Sequence, residues 1–242
     1  MKQVVQTQKF NQRQYLVLLS QNASCTIKQD TRIEETVRHN LETEYSKLRE
    51  DVHVTDLTLC MRQALFKKLQ PREPSTKQLG YFFDGARRHE ALQKLYGQGV
   101  AEKEIEFEGV KATIDILDSF GPIEFKTTRA KNAISEHWIR QLAYYMVATN
   151  SNLGTLQIQR IMPSKQKDEA QEENLFPAFL IELNKEQREK WHQDFIERKD
   201  RFLAAYQSKE PAKAPIFRGD NNWVCSECPY KAQCDKIEGV SQ

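Results

Sequence analysis

Asp115, Glu124 and Lys126 are the residues of this chain best suited by type and spacing to do chemistry. Two carboxylates with spare oxygens can hold a hard divalent cation such as Mg²⁺ or Mn²⁺, which prefers oxygen ligands and keeps several waters. Such a cation lowers the pKa of a bound water and offsets charge building on a phosphate under attack. A neighbouring lysine can orient or deprotonate that water. The plain alternative is a surface ion pair of Lys126 with Glu124 or Asp115, which is worth little.

The elements that must position these groups can be read from the pattern. Val110, Ala112, Ile114 and Ile116 alternate with Lys111, Thr113, Asp115 and Leu117, the period of a strand. Asp118-Ser119-Phe120-Gly121-Pro122 carries turn chemistry. A second strand is expected over Ile123 to Thr127, with Ile123 and Phe125 on one face. If Ile114, Ile116, Ile123 and Phe125 face the core, Asp115, Glu124 and Lys126 share the opposite face. Gln141 and Tyr145 lie four apart on an expected helix and share a side of it.

Asp115, eight residues, then Glu124-Phe125-Lys126 resembles the Asp…Glu-x-Lys signature of the PD-(D/E)xK nucleases. Gln141-x-x-x-Tyr145 resembles the Gln-x-x-x-Tyr motif of the RecB-like branch, and Gly85-x-x-x-His89 its Gly-x-x-x-His motif. The glycine often found three residues before the aspartate is Ala112 here. This resemblance implies an α/β, restriction-endonuclease-like core: a central mixed sheet flanked by helices. It also implies that His89, Asp115 and Glu124 bind Mg²⁺ or Mn²⁺, with the Phe125 carbonyl as a further ligand. Lys126 would manage the attacking water, and Gln141 and Tyr145 would orient Lys126 or the DNA backbone. Arg87, Arg88, Arg129, Lys131 and Arg140 cluster by sequence around these motifs and are candidates for gripping phosphates. Taken by itself, His89 would be a solvent-facing histidine beside two arginines.

Cysteines stand at 25, 60, 225, 228 and 234, an odd number that argues against a disulfide framework. Cys225-x-x-Cys228 followed by Cys234 has metal-ligand spacing and needs a fourth ligand. Zinc with His53, His192 or Cys60 as the fourth ligand is one solution, and an iron–sulfur cluster is another. One cysteine before the nuclease motifs and three after them resembles the iron–sulfur nucleases of the RecB-like branch. That resemblance implies a [4Fe–4S] cluster on Cys60, Cys225, Cys228 and Cys234, joining an N-terminal helix to the C-terminal tail. Cys25 lacks a ligand motif and reads as an ordinary thiol.

The expected organisation is a helical arm over residues 1–52, a nuclease core over 53–208 and a cysteine-rich segment over 209–242. Single helices are expected over Arg32–Glu50, Val54–Leu69 and Thr76–Tyr96, and another from the Asn184 cap to Tyr206. Strands are expected over Ala101–Glu108, Leu153–Met162 and Pro177–Leu183. A charged loop falls at Ser164–Asn174, and Lys209–Arg218, with Pro211 and Pro215, reads as a linker. With 242 residues, 39% hydrophobic and 29% charged, the chain can form a core. A net charge of only +2 means that nucleic-acid binding must come from a local groove. No apolar run approaches a membrane span and no signal peptide is recognised, so a soluble, cytoplasmic protein is expected. No glycine-rich phosphate loop is present.

The chain most resembles the stand-alone CRISPR-associated nucleases with an iron–sulfur cluster (the fourth CRISPR-associated protein) and their viral relatives. This implies an exonuclease on single-stranded DNA or DNA ends, in CRISPR spacer acquisition or recombination and repair. A CRISPR integrase complex is an implied partner, and a homo-oligomer is left open. The rival readings are a zinc-stapled, non-catalytic DNA-binding or scaffold subunit, and a cluster-free restriction-type endonuclease that would leave the cysteines unexplained.

Overall fold

A computed structural model describes residues 31–45, 49–128, 134–161, 175–216 and 223–239. It divides the chain into two units, Met1–Tyr45 and Ser46–Gln242. The first contributes one described helix, α1 (Thr31–Tyr45). Residues 49–53 belong to the second unit, where Lys111 N–H donates to the Val52 carbonyl at 2.9 Å.

The second unit runs α2 (Val54–Thr58), α3 (Met61–Leu69), α4 (Thr76–Tyr96), β1 (Val100–Phe107), β2 (Val110–Leu117) and β3 (Pro122–Thr128). It continues with α5 (Glu136–Ala148), β4 (Leu153–Arg160), β5 (Ala178–Glu182), α6 (Lys185–Ser208), a 3₁₀ turn (Pro211–Lys213), α7 (Trp223–Ser226) and α8 (Lys231–Glu238). The strands form one mixed sheet in the order β1-β2-β3-β4-β5. β3 and β4 are parallel and every other pair is antiparallel. The β3–α5–β4 crossover puts α5 on one face, where Leu142, Ala143 and Met146 pack on Leu156 and Ile158. On the same side, α2, α3 and α6 close a core around Leu57, Met61, Leu65, Phe195 and Phe202. Leu92 of α4 packs on Ile116, Ile123 and Phe125 in a separate cluster.

Local chemistry explains the boundaries. Ser75 accepts from Gln78 N–H while the Gln78 side chain accepts from Ser75 N–H, and Gly97 ends α4 in the left-handed region. Asn184 and Gln187 form the same reciprocal cap at the start of α6. In the β2–β3 turn, Gly121 has φ +141, and a Cβ there would lie 2.0 Å from the Leu153 carbonyl oxygen. Only glycine fits that position.

Two expectations are corrected. The helix expected over Val54–Leu69 is broken at Leu59 and Cys60, so Cys60 sits at the N-cap of α3 instead of mid-helix. The expected linker after α6 is packed: Ala214 is buried in the main core and the Pro215 carbonyl accepts from Arg62 N–H at 3.2 Å. The helix expected over Arg32–Glu50 is described over Thr31–Tyr45, and residues 46–48 lie outside the described residues. The charged loop at 164–174 lies outside the described residues, apart from its flanks. None of the described helices is long and apolar enough to cross a membrane.

Candidate active site

The site is made by an interruption in the sheet. β1 and β2 pair in one continuous register, Val100↔Leu117 through Phe107↔Val110, with a gap where Glu102 faces Asp115. Glu102 has φ +48, a strained backbone for a residue with a side chain. On the other side, β2 and β3 pair only at Ile116↔Ile123 and Leu117↔Pro122, beside the turn. Asp115 therefore has no ladder partner on either side. Gln93 of α4 fills one gap, donating to the Asp115 carbonyl at 3.3 Å and to the Glu102 carboxylate. The Asp115 carboxylate fills the other, accepting from Phe125 N–H at 2.7 Å. The alternation expected of β2 holds in its burial, but its core residues are divided: Ile114 packs with Tyr144 and Tyr145 of α5, whereas Ile116 packs with Leu92 of α4.

This distortion gathers the three groups. Asp115 Oδ1 lies 3.5 Å from His89 Nδ1. Glu124, only 2% exposed, has Oε1 2.5 Å from Lys126 Nζ, while its Oε2 is buried with no hydrogen-bond partner. Lys126 Nζ donates to Gln141 Oε1 at 2.9 Å, Gln141 Nε2 to the Tyr145 hydroxyl at 2.8 Å, and Tyr145 to the Thr113 carbonyl at 3.1 Å. The two residues spaced four apart on α5 thus form a rigid relay that fixes Lys126. His89, Thr113, Asp115, Glu124, Lys126, Gln141 and Tyr145 line one cavity of about 720 Å³, together with Arg49, His53, Gln93, Glu102 and Glu104.

The electrostatics follow from burial. Burial pushes the Glu124 carboxyl up to about 7, Asp115 adds to the rise and Lys126 opposes it. Burial works against a charged His89, yet the Asp115 hydrogen bond and charge raise its pKa above the ordinary value. Burial, then Glu124, holds the Tyr145 hydroxyl firmly protonated, so it can serve as a donor. In the cation-free protein, Glu124 adds stability in full below its ordinary value of 4.5 and loses that contribution as pH rises through about 7. Urea midpoints should therefore fall across this interval for the wild type more steeply than for Glu124→Gln. Added Mn²⁺ should stabilise only the wild type, increasingly as the carboxylate ionises. Parallel pH profiles for the two proteins would show that Glu124 does not titrate in this way.

The phosphate candidates fare differently. Arg87 pairs with Glu90 at 2.9 Å and Arg88 with Asp84 at 2.8 Å, both within α4, and neither arginine lines the cavity, although Glu90 does. Arg140 is not brought to the cavity. Its guanidinium binds the Thr58 carbonyl, Glu136 and Asp194, and is drawn into packing between helices. Arg129 and Lys131 lie outside the described residues, as does Cys25. The cavity residues that sequence reasoning missed are Arg49, His53, Gln93, Glu102 and Glu104. Gln93 follows His89 by one helical turn, a spacing that could have marked it.

The four remaining cysteines carry no disulfide. Burial, then the charge of Cys60 in particular, raises the pKa of Cys225, and Cys228 is affected likewise by Cys60, Cys225 and Cys234. The set from α3 and the tail is therefore assembled within electrostatic reach. Among the described residues, no three His, Cys, Asp or Glu side chains are grouped closely enough to hold a metal ion, neither the cysteines nor His89, Asp115 and Glu124. Protein contacts also hold the tail. Arg62 donates to the Ala212 and Ala214 carbonyls and to Cys234 Sγ, and pairs with Glu238 at 2.5 Å. Phe66 stacks on Tyr230 with centroids 5.2 Å apart, and Arg72 lies over the same ring.

The PD-(D/E)XK nuclease superfamily is matched over residues 28–235, and the chain belongs to that superfamily. Its members use divalent metals such as Mg²⁺ or Mn²⁺. The crystal structure of SSO0001 is similar at 19% identity and a TM-score of 0.51, covering 86% of this chain and 98% of that one. An alkaline exonuclease (LHK-Exo) from Laribacter hongkongensis is 12% identical, with a TM-score of 0.48 over 71% of this chain and 96% of that one. A phage related exonuclease from Haemophilus somnus 129PT is 11% identical, with a TM-score of 0.47 over 70% and 99%. No curated protein matches the sequence.

Proposed function

We propose that the chain is a divalent-cation-dependent deoxyribonuclease that hydrolyses phosphodiester bonds in this cavity, as an exonuclease on single-stranded DNA or DNA ends. The observation that carries the reading is Glu124 Oε2, a buried carboxylate oxygen without a partner beside Asp115 and His89. Leaving such a group unpaired is costly, and a cation supplies the missing partner. His89, Asp115 and Glu124 would hold Mg²⁺ or Mn²⁺, which would supply a more acidic water and positive charge for the phosphate. Only a few protein oxygens are needed, because Mg²⁺ keeps much of its water. Lys126 spends two of its three donors on Glu124 and Gln141, which leaves one for the phosphate or the attacking water. Gln141 and Tyr145 hold that ammonium in place, and Tyr145 in turn is anchored to β2 two residues before Asp115.

Cys60, Cys225, Cys228 and Cys234 would carry a [4Fe–4S] cluster. Each cysteine of such a cluster binds a different iron, so the sulfurs stand further apart than the four ligands of one zinc ion. The four cysteines lie within electrostatic reach of one another, which supports one shared group, and the choice of the cluster over zinc is carried by the sequence resemblance. The proposed setting is CRISPR spacer acquisition or recombination and repair, with an integrase complex as partner, and it is carried by the sequence resemblance.

Linear and circular single strands test the exonuclease reading. With Mn²⁺, end-labelled linear DNA should be degraded to short products while a closed circle of the same sequence survives. Equal loss of the circle would make the enzyme an endonuclease.

A further inference from the structure

We propose that Arg49 forms a phosphate subsite of this cavity and grips the DNA backbone beside the bond that is cut, an inference that rests on the nuclease reading above. Arg49 lines the same cavity as Asp115, Glu124 and Lys126. Its charge reaches both His53 and Tyr145, which places it by the relay that fixes Lys126. Its guanidinium makes no hydrogen bond or ion pair among the described residues. Arg87 is engaged by Glu90, Arg88 by Asp84, and Arg140 by the Thr58 carbonyl, Glu136 and Asp194.

The backbone that carries Arg49 is held in advance. Lys68, whose side chain is 7% exposed, donates to the Arg49 carbonyl at 2.9 Å and the Asp51 carbonyl at 2.7 Å. The same ammonium lies 3.2 Å from the Asp56 carboxylate. A buried ammonium needs all of its partners, and here every one lies in residues 49–56. The next residues are tied to the sheet, because His53 forms a β-bridge with Lys111. A firmly held segment thus presents a cation that the described protein does not use. Glu102 and Glu104 line the same cavity and would repel a phosphodiester chain. A DNA strand entering past them gains most by running along Arg49, whose planar fork suits two phosphate oxygens at once.

The test is binding of a single-stranded oligonucleotide in chelator, where cleavage cannot proceed, as a function of salt. Arg49→Gln should weaken binding about tenfold and lower the slope of log affinity against log salt by about one, the signature of one lost phosphate contact. Arg49→Lys should restore the slope while recovering only part of the affinity. Neutral methylphosphonates placed singly along the strand should weaken wild-type binding at one position that Arg49→Gln no longer senses. Arg49→Gln with wild-type affinity and slope would overturn the subsite and leave the nuclease reading standing. A wild type that binds no DNA would remove both.

Discussion

Asp115→Asn and Lys126→Met should each lower the rate of Mn²⁺- or Mg²⁺-dependent DNA cleavage by about 10²–10⁴-fold, the range of a positioned proton-transfer or charge-stabilising group. The substitutions are chosen so that the fold survives. Asparagine keeps an oxygen for Phe125 N–H, the bond that spans the opened ladder, and removes only the charge. Alanine there would strand that N–H, at a cost of about 1–3 kcal/mol. Methionine fills the space of the Lys126 stem but leaves the Glu124 carboxylate without its cation. Glu124 should then stay protonated to higher pH, so Lys126→Met should bind Mn²⁺ more weakly at neutral pH as well as fail in catalysis. Circular dichroism and melting at pH 6 separate this from unfolding. If folded Lys126→Met cuts DNA at the wild-type rate, this strand pair is not where the chemistry occurs.

Serine at Cys60, Cys225, Cys228 or Cys234 should abolish the brown visible absorption and strip the iron, whereas Cys25→Ser should do neither. Cys225 lies 165 residues beyond Cys60, so a cluster spanning them closes a very long loop. Loop-closure entropy sets the largest effect at about 5 kcal/mol. Arg62, Phe66 and Arg72 continue to hold the tail after the metal is lost, so the drop in melting temperature should be smaller than this implies, about 5–15 °C. Cleavage should fall in proportion to the folded fraction, because the cysteines are outside the Asp115 cavity. Iron lost from Cys25→Ser but kept by Cys60→Ser would overturn the ligand set. A colourless wild type with one equivalent of zinc would replace the cluster by zinc.

Much of the architecture was legible from local signals. Asn184 with Gln187, Ser75 with Gln78, and the alternation along Val110–Leu117 each report on backbone conformation through neighbours in sequence. The pairing of Gln141 with Tyr145 was legible for the same reason, since one helical turn separates them. What periodicity could not show is the break in the ladder at Asp115. It depends on a positive φ at Glu102 and on Gln93 reaching across from α4, contacts between segments that no period describes. The break at Leu59–Cys60 was hidden too, because the apolar stripe Leu57, Met61, Leu65 continues through it. Arg140 shows the limit of reading charge from sequence. Its neighbours in the chain suggested a phosphate contact, while Asp194, far along the chain, takes it into the helix packing.

The most direct measurement is an anomalous difference map from a crystal grown with Mn²⁺ and a non-cleavable single-stranded oligonucleotide. The account predicts a manganese peak within bonding distance of the carboxylates of Asp115 and Glu124, with a DNA phosphate beside Lys126. A manganese peak elsewhere in the chain, with Asp115 and Glu124 unliganded and the oligonucleotide bound away from Lys126, would contradict it.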